Sequence, residues 1–153
     1  MSHKTKCLEA LKELKAPGPG EWECVHVFDY GEASFTCELC SYEKVRYIHV
    51  MTHEKWDGEI YTGCVCAGFL QGDEEQARDE EKRAKRKLSY MSKKWKQLSA
   101  SEWGRKYKKH QMRMVFRSSR YFLQIDEKKC GSFFSFLKAM EAAFDQIDSE
   151  GCC

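Results

Sequence analysis

The chain has 153 residues, 42% hydrophobic and 33% charged, with 26 basic against 24 acidic side chains and a formal net charge of +2. That length suits one domain of ordinary size or two small ones, and no apolar run approaches the roughly 20 residues a membrane-spanning helix needs. The opening Met1-Ser2-His3-Lys4-Thr5-Lys6 is not followed by the apolar region of a secretory signal, so an intracellular protein without a membrane partner is expected.

Lys4 to Lys15 reads as a short helix with Cys7, Leu8, Leu11 and Leu14 on one stripe, and Cys7 is read as a core thiol. Ala16-Pro17-Gly18-Pro19-Gly20 ends it. Glu21 to Asp29 alternates as a strand, with Trp22, Cys24, His26 and Phe28 on one face. Lys44 to Thr52 is rich in β-branched and aromatic residues and reads as a second strand. The Asp57-Gly58 pair signals a hairpin turn before a third strand at Ile60 to Thr62. A helix can start within Ala67 to Leu70, and Gly72 to Lys96 is a long, charged, helix-compatible stretch. Trp95 to Tyr107 is transitional. Gln111 to Arg117 and Arg120 to Asp126 then form a hairpin around Ser118-Ser119, and Lys128 to Gly131 reads as a turn. Ser132 to Ile147 is an amphipathic helix carrying Phe133, Phe136, Leu137, Met140, Ala143, Phe144 and Ile147.

Nine cysteines, an odd number, fit metal ligation plus a few buried thiols better than a secreted disulfide scaffold. Cys37-Glu38-Leu39-Cys40 and Cys64-Val65-Cys66 form two close pairs separated by a hairpin-length stretch. Two chelating pairs bring four thiolates to a tetrahedral ion at low entropic cost, so Cys37, Cys40, Cys64 and Cys66 are the expected ligands of a structural Zn²⁺. The C-x-C half departs from the usual C-x2-C. Extended backbone would aim Cys64 and Cys66 the same way, with a bend needed to bring both to one ion. His53, His49, Cys24 and His26 are the rival ligands. On a strand His49 and His53 stand about 13 Å apart at their α-carbons and cannot share an ion, and His53, at the hairpin end, is the better single substitute. Cys24 and His26 offer a second C-x-H pair, which brings the candidate ligands to eight and allows a second zinc, although a half-buried strand face accounts for them more simply.

The Cys37-x-x-Cys40 knuckle, a β-hairpin and then Gly63-Cys64-Val65-Cys66-Ala67 entering a helix resemble a treble-clef or zinc-ribbon finger over about residues 22–70. The two-part layout resembles small zinc-finger proteins of bacteria and phages. The resemblance implies a zinc-held scaffold found in both nucleic-acid-binding and protein-binding proteins. Some ββα-metal nucleases grow from treble-clef scaffolds, but their His-Asn-His constellation is missing from a chain with no Asn.

The net charge hides segregation. Asp73 to Glu81 carries Asp73, Glu74, Glu75, Asp79, Glu80 and Glu81 against the single base Arg78. Lys82, Arg83, Lys85, Arg86, Lys87, Lys93, Lys94, Lys96, Arg105, Lys106, Lys108, Lys109, Arg113, Arg117 and Arg120 then stand against Glu102 alone. Trp95, Trp103, Tyr107, Tyr121 and Phe122 are interleaved with them. Such clustering is the footprint of a polyanion partner, with aromatic rings available to stack on bases.

An α+β protein is expected, divided into an N-terminal helix (1–20), a zinc-bound β-rich finger (21–72), a charged helix (73–97), a ββα unit (98–148) and a tail (149–153) that includes Cys152-Cys153. Its expected function is zinc-stabilised DNA or RNA binding without catalysis. The alternative is a protein-interaction module acting as adaptor or inhibitor of a nucleic-acid enzyme. A zinc-dependent nuclease ranks below both.

Overall fold

The computed structural model describes residues 2–150, so Cys152 and Cys153 lie outside the described residues. The fold is α+β, with four helices and two antiparallel sheets among the described residues. It divides into two compact units, Met1–Lys85 and Arg86–Cys153. No described helix is long and apolar enough to cross a membrane.

The first unit opens with α1 (His3–Glu13), whose first turn is capped by Ser2 Oγ accepting from the Thr5 N–H. The Pro/Gly segment after α1 is tied down where the Gly20 N–H donates to Leu70 O and the Trp22 indole N–H to Gly18 O. β1 (Trp22–Asp29), β2 (Tyr47–His53) and β3 (Trp56–Thr62) form a sheet in sequence order. The hairpin turns at Glu54-Lys55, not at Asp57-Gly58. Gly58 is a strand residue because the Trp56 ring folds over it; a Cβ there would sit 2.5 Å from the indole. A bulge between Cys24 and His26 alters the register of β1. Cys24 pairs with Met51, while His26 pairs with Val50 and stacks on Phe28. A bulge shifts the alternation, so Cys24 and His26 do not share a face as the plain alternation of the sequence implied.

α2 (Cys64–Gln71) begins directly after β3 and ends at Gly72, whose φ of 74° lies in the left-handed region. Asp73 Oδ1 then accepts from the Gln76 N–H and starts α3 (Glu74–Ser92). The long charged stretch is therefore entered through a two-residue break, and the unit boundary falls within α3. The core of this unit gathers Leu11, Trp22, Ile48, Met51, Ile60, Leu70 and Ala77 around the buried Cys7, Cys37 and Cys66.

The second unit is larger than the expected hairpin and helix. β4 (Lys96–Ser99), β5 (Glu102–Tyr107), β6 (His110–Arg117), β7 (Arg120–Ile125) and β8 (Lys128–Phe133) form a five-stranded meander. The segment read as transitional supplies two strands. Ser118-Ser119 turns as expected, with both residues at positive φ, and so does Asp126-Glu127, which makes Lys128 to Gly131 strand rather than turn. α4 (Phe136–Glu150) starts four residues later than its periodicity suggested, leaving Phe133 on β8 and Ser149 in the helix. α4 covers one face through Met140, Phe144 and Ile147, which pack with Tyr90, Met112, Met114, Leu123 and Ile125.

Candidate metal centre and basic sheet face

Cys37 and Cys40 sit on a tight knuckle between β1 and β2. The Ser41 N–H donates to Cys37 O, the Cys37 N–H donates to Tyr42 O, and Ser41 takes a φ of 66° to close the turn. The bridge between Phe35 and Val45 frames it, and Glu38 fastens it to β3 through its N–H to Tyr61 O and its carboxylate from Tyr61 N–H. Against this knuckle stands Cys66 from the first turn of α2. The sulfurs of Cys37, Cys40 and Cys66 all lie within 4.8 Å of one another.

Cys64 does not join them. Both residues of the C-x-C pair are in α2, where 100° per residue sets positions i and i+2 on opposite sides. Cys66 faces the knuckle, and Cys64 faces His49 and Glu81. On its other side Cys66 meets donors from α1: Cys7 Sγ is 3.8 Å and His3 Nε2 is 3.2 Å from its sulfur, and these two form a group with Cys66 that does not include Cys37 and Cys40. Two thiolates on one tetrahedral zinc at about 2.3 Å stand about 3.8 Å apart, the spacing Cys7 already has. In sequence this appears only as His3-x3-Cys7, an i,i+4 pair that reading Cys7 as a core thiol passed over.

The electrostatics suit an ion. The Cys37 thiol is pulled below its ordinary pKa by the hydrogen bond from the Cys66 thiol and by backbone N–H donors at Cys40, Gly63 and Leu39. Cys66 moves the other way because it is the donor to Cys37 and is buried. Backbone N–H groups aimed at a sulfur are the kind of partner that orients a metal-bound thiolate. These groups of cysteine, histidine and glutamate are compatible with a bound metal ion.

The rival ligands separate. His53 is buried against Trp22, and its Nδ1 accepts from the Lys55 N–H, so it belongs to the hairpin and joins no donor cluster. His26 likewise joins none. His49 belongs to two further groups, one with Cys24 and Glu80 and one with Cys64 and Glu81. An open cavity of about 910 Å³ is lined by residues of the thiol group and of the last of these, among them Cys37, Cys66, Cys64 and Glu81.

The basic stretch also divides. Arg86 pairs with the buried Asp148, Lys87 with Asp145, and Lys85 with Glu81 and the Tyr47 ring. Arg105 lies over the Tyr90 ring and donates to Tyr90 O. Trp103 packs against Tyr121 and Phe136 on the α4 side of the sheet, and Trp95 and Tyr107 also belong to that core, so these rings are not a free stacking surface. Lys82, Lys93, Lys94, Lys108 and Lys109 are exposed on α3, its exit and the β5–β6 turn, and Arg83 is half-buried.

The other face of the sheet holds a basic set that the linear stretch only partly marked. Cross-strand pairing sets Lys106 beside Gln111, Arg113 beside Gln124, Val115 beside Phe122, and Arg117 beside Arg120, all on the face away from Met112 and Met114. Arg113 pairs with Glu102. The Arg117 guanidinium lies 4.5 Å over the Phe122 ring and that of Arg120 lies 4.2 Å over Phe134. Phe134 is 78% exposed, so packing does not account for it. Lys129, opposite Gln124, extends the face onto β8.

No family model matches the chain, and no curated protein or solved structure is significantly similar to it.

Proposed function

We propose that this is a zinc-stabilised protein that binds single-stranded DNA or RNA on the open face of its five-stranded sheet. The observation that carries the reading is the pair of cation-over-ring stacks, Arg117 on Phe122 and Arg120 on Phe134, on one face with Lys106, Arg113 and Lys129. Guanidinium groups neutralise phosphates, and exposed rings stack on unpaired bases of any sequence. A strand spacing of about 4.8 Å makes such a face about 19 Å wide, room for a few nucleotides.

Zinc is assigned to Cys37, Cys40 and Cys66, with Cys7, 3.8 Å from the Cys66 sulfur, as the fourth thiolate once it closes on the other two, and His3 Nε2 beside the Cys66 sulfur. Four thiolates close the coordination sphere and make that ion structural. The order of knuckle, hairpin and helix N-terminus supports the treble-clef reading of this unit.

Fluorescence anisotropy with a labelled single-stranded oligonucleotide tests the binding. About five phosphate contacts give a slope near −3.5 in log affinity against log salt for a single strand. The Arg117→Ala/Arg120→Ala variant is expected to weaken binding about 10-fold or more and to flatten that slope, and Phe134→Ala to cost about 1–3 kcal/mol. Absence of binding at low salt would sink the proposal and leave the protein-interaction alternative.

A further inference from the structure

His49 is 0% exposed, yet its Nε2 has no hydrogen-bond partner; the nearest acid, Glu81 Oε1, stands 3.5 Å away. Its cross-strand neighbour Thr62 is equally buried, and Thr62 Oγ1 is also without a partner. Buried polar atoms are nearly always paired, and adjacent orphans are expected where an ion or ordered water belongs. Cys64 Sγ and a Glu81 oxygen complete a group with His49 in which all ligand atoms lie within 4.8 Å of one another. β2, the first turn of α2 and α3 supply these donors. Three elements converging on a buried imidazole nitrogen whose nearest partner, Glu81, stands at a long 3.5 Å amount to more than a chance cluster of acids.

The other imidazole nitrogen is oriented to match. Cys24 Sγ is 3.8 Å from His49 Nδ1, and around that thiol stand the Glu80 carboxylate and His26 O, the latter at 3.4 Å. With its own proton directed to one of these acceptors, the Cys24 sulfur can accept from Nδ1–H. That tautomer leaves the Nε2 lone pair facing Cys64 and Glu81, the arrangement by which outer partners orient ligating histidines.

We propose that His49, Cys64 and Glu81 form a second metal site, separate from the thiolate site, for a borderline divalent cation such as Zn²⁺ or Co²⁺. One imidazole, one thiolate and one carboxylate suit such ions. Three protein donors leave a fourth tetrahedral position. Cys64 and Glu81 line the cavity of about 910 Å³, while His49 is buried behind them. The fourth position therefore opens to the cavity, where water or a small anion completes the sphere. The C-x-C motif thus serves two ions, one cysteine each.

Cobalt titration of the metal-free full-length chain tests this, with Cys152 and Cys153 changed to Ser to remove other adjacent thiols. Two equivalents are expected. The near-ultraviolet thiolate-to-cobalt absorption should rise in two steps of roughly four to one, in proportion to the thiolates bound. Glu81→Gln and Cys64→Ser should each weaken the smaller step at least 10-fold and leave the larger one unchanged. Azide should perturb the visible spectrum of the smaller step alone. A single equivalent, or loss of intensity from the larger step in Cys64→Ser, overturns the proposal. Loss of the larger step with survival of the smaller would instead count against the four-thiolate zinc.

Discussion

The first unit buries Cys7, Cys37, Cys66 and His49 beside Leu11, Met51 and Leu70, whereas the second buries Tyr90, Met112, Met114, Leu123, Phe144 and Ile147. Domains this small bury little surface for their length and need either a dense apolar core or a staple. The second unit has the core, with α4 laid along a sheet whose inner face is apolar and aromatic. The first sets its reactive side chains among Trp22, Ile48, Met51 and Leu70, and its knuckle combines backbone hydrogen bonds with the buried Leu39 and Val45. On the zinc reading proposed above, coordination adds to packing there, so the two units should fail under different insults.

The largest contrast is expected from metal removal. Chelation, or Cys37→Ser, should unfold the first unit outright, since structural zinc supplies folding energy of about 10–16 kcal/mol in small finger domains. Hydrogen exchange would read this as loss of protection in β1 to β3 with β6 to β8 still protected. Equal loss in both sheets would erase the distinction. Next is Phe144→Ala, which removes a fully buried ring and should cost about 3–5 kcal/mol. Denaturant unfolding should show that loss in the second unit only, with zinc affinity unchanged.

Smaller and opposite in pH sense is Tyr90. Burial raises its phenol to about 12, and its O–H donates to Met140 O. The folded value lies above the unfolded value of about 10, so the stabilisation is complete below pH 10 and is lost as pH rises toward 12, up to about 3 kcal/mol. Tyr90→Phe should remove this alkaline limb from the second unit's stability profile. An unchanged limb would place the titration elsewhere.

Much of this division was legible in the sequence, where a local pattern and a tertiary role coincided. The Cys37-x-x-Cys40 knuckle, the strand at β2 and the Ser118-Ser119 turn each follow from a few neighbouring residues. Cys7 was not legible as a candidate donor, because a cysteine on an apolar helical stripe is the same in sequence whether it meets leucine or, as here, the Cys66 thiol and the His3 ring. Cys64 and Cys66 were misjudged through their backbone: on a strand they point together, on a helix apart, and only the helix start at Cys64 decides. The bulge after Cys24 separated it from His26 in the same way. In the second unit, β4 and β5 were hidden because Trp103 and Tyr107 alternate with basic residues, a pattern that also reads as a nucleic-acid surface. Pairing with β6 turned those rings to the core and left Phe122 and Phe134 outside.

The measurement that bears most directly on this division of labour is oligonucleotide affinity at low salt, before and after metal chelation, for the full-length chain and its Arg117→Ala/Arg120→Ala variant. Chelation is expected to change affinity less than about 2-fold, because the binding face belongs to the unit that needs no metal, while the double substitution lowers it about 10-fold or more. Binding that vanishes with the metal yet survives the double substitution would contradict the account and move the binding surface to the thiolate-held unit.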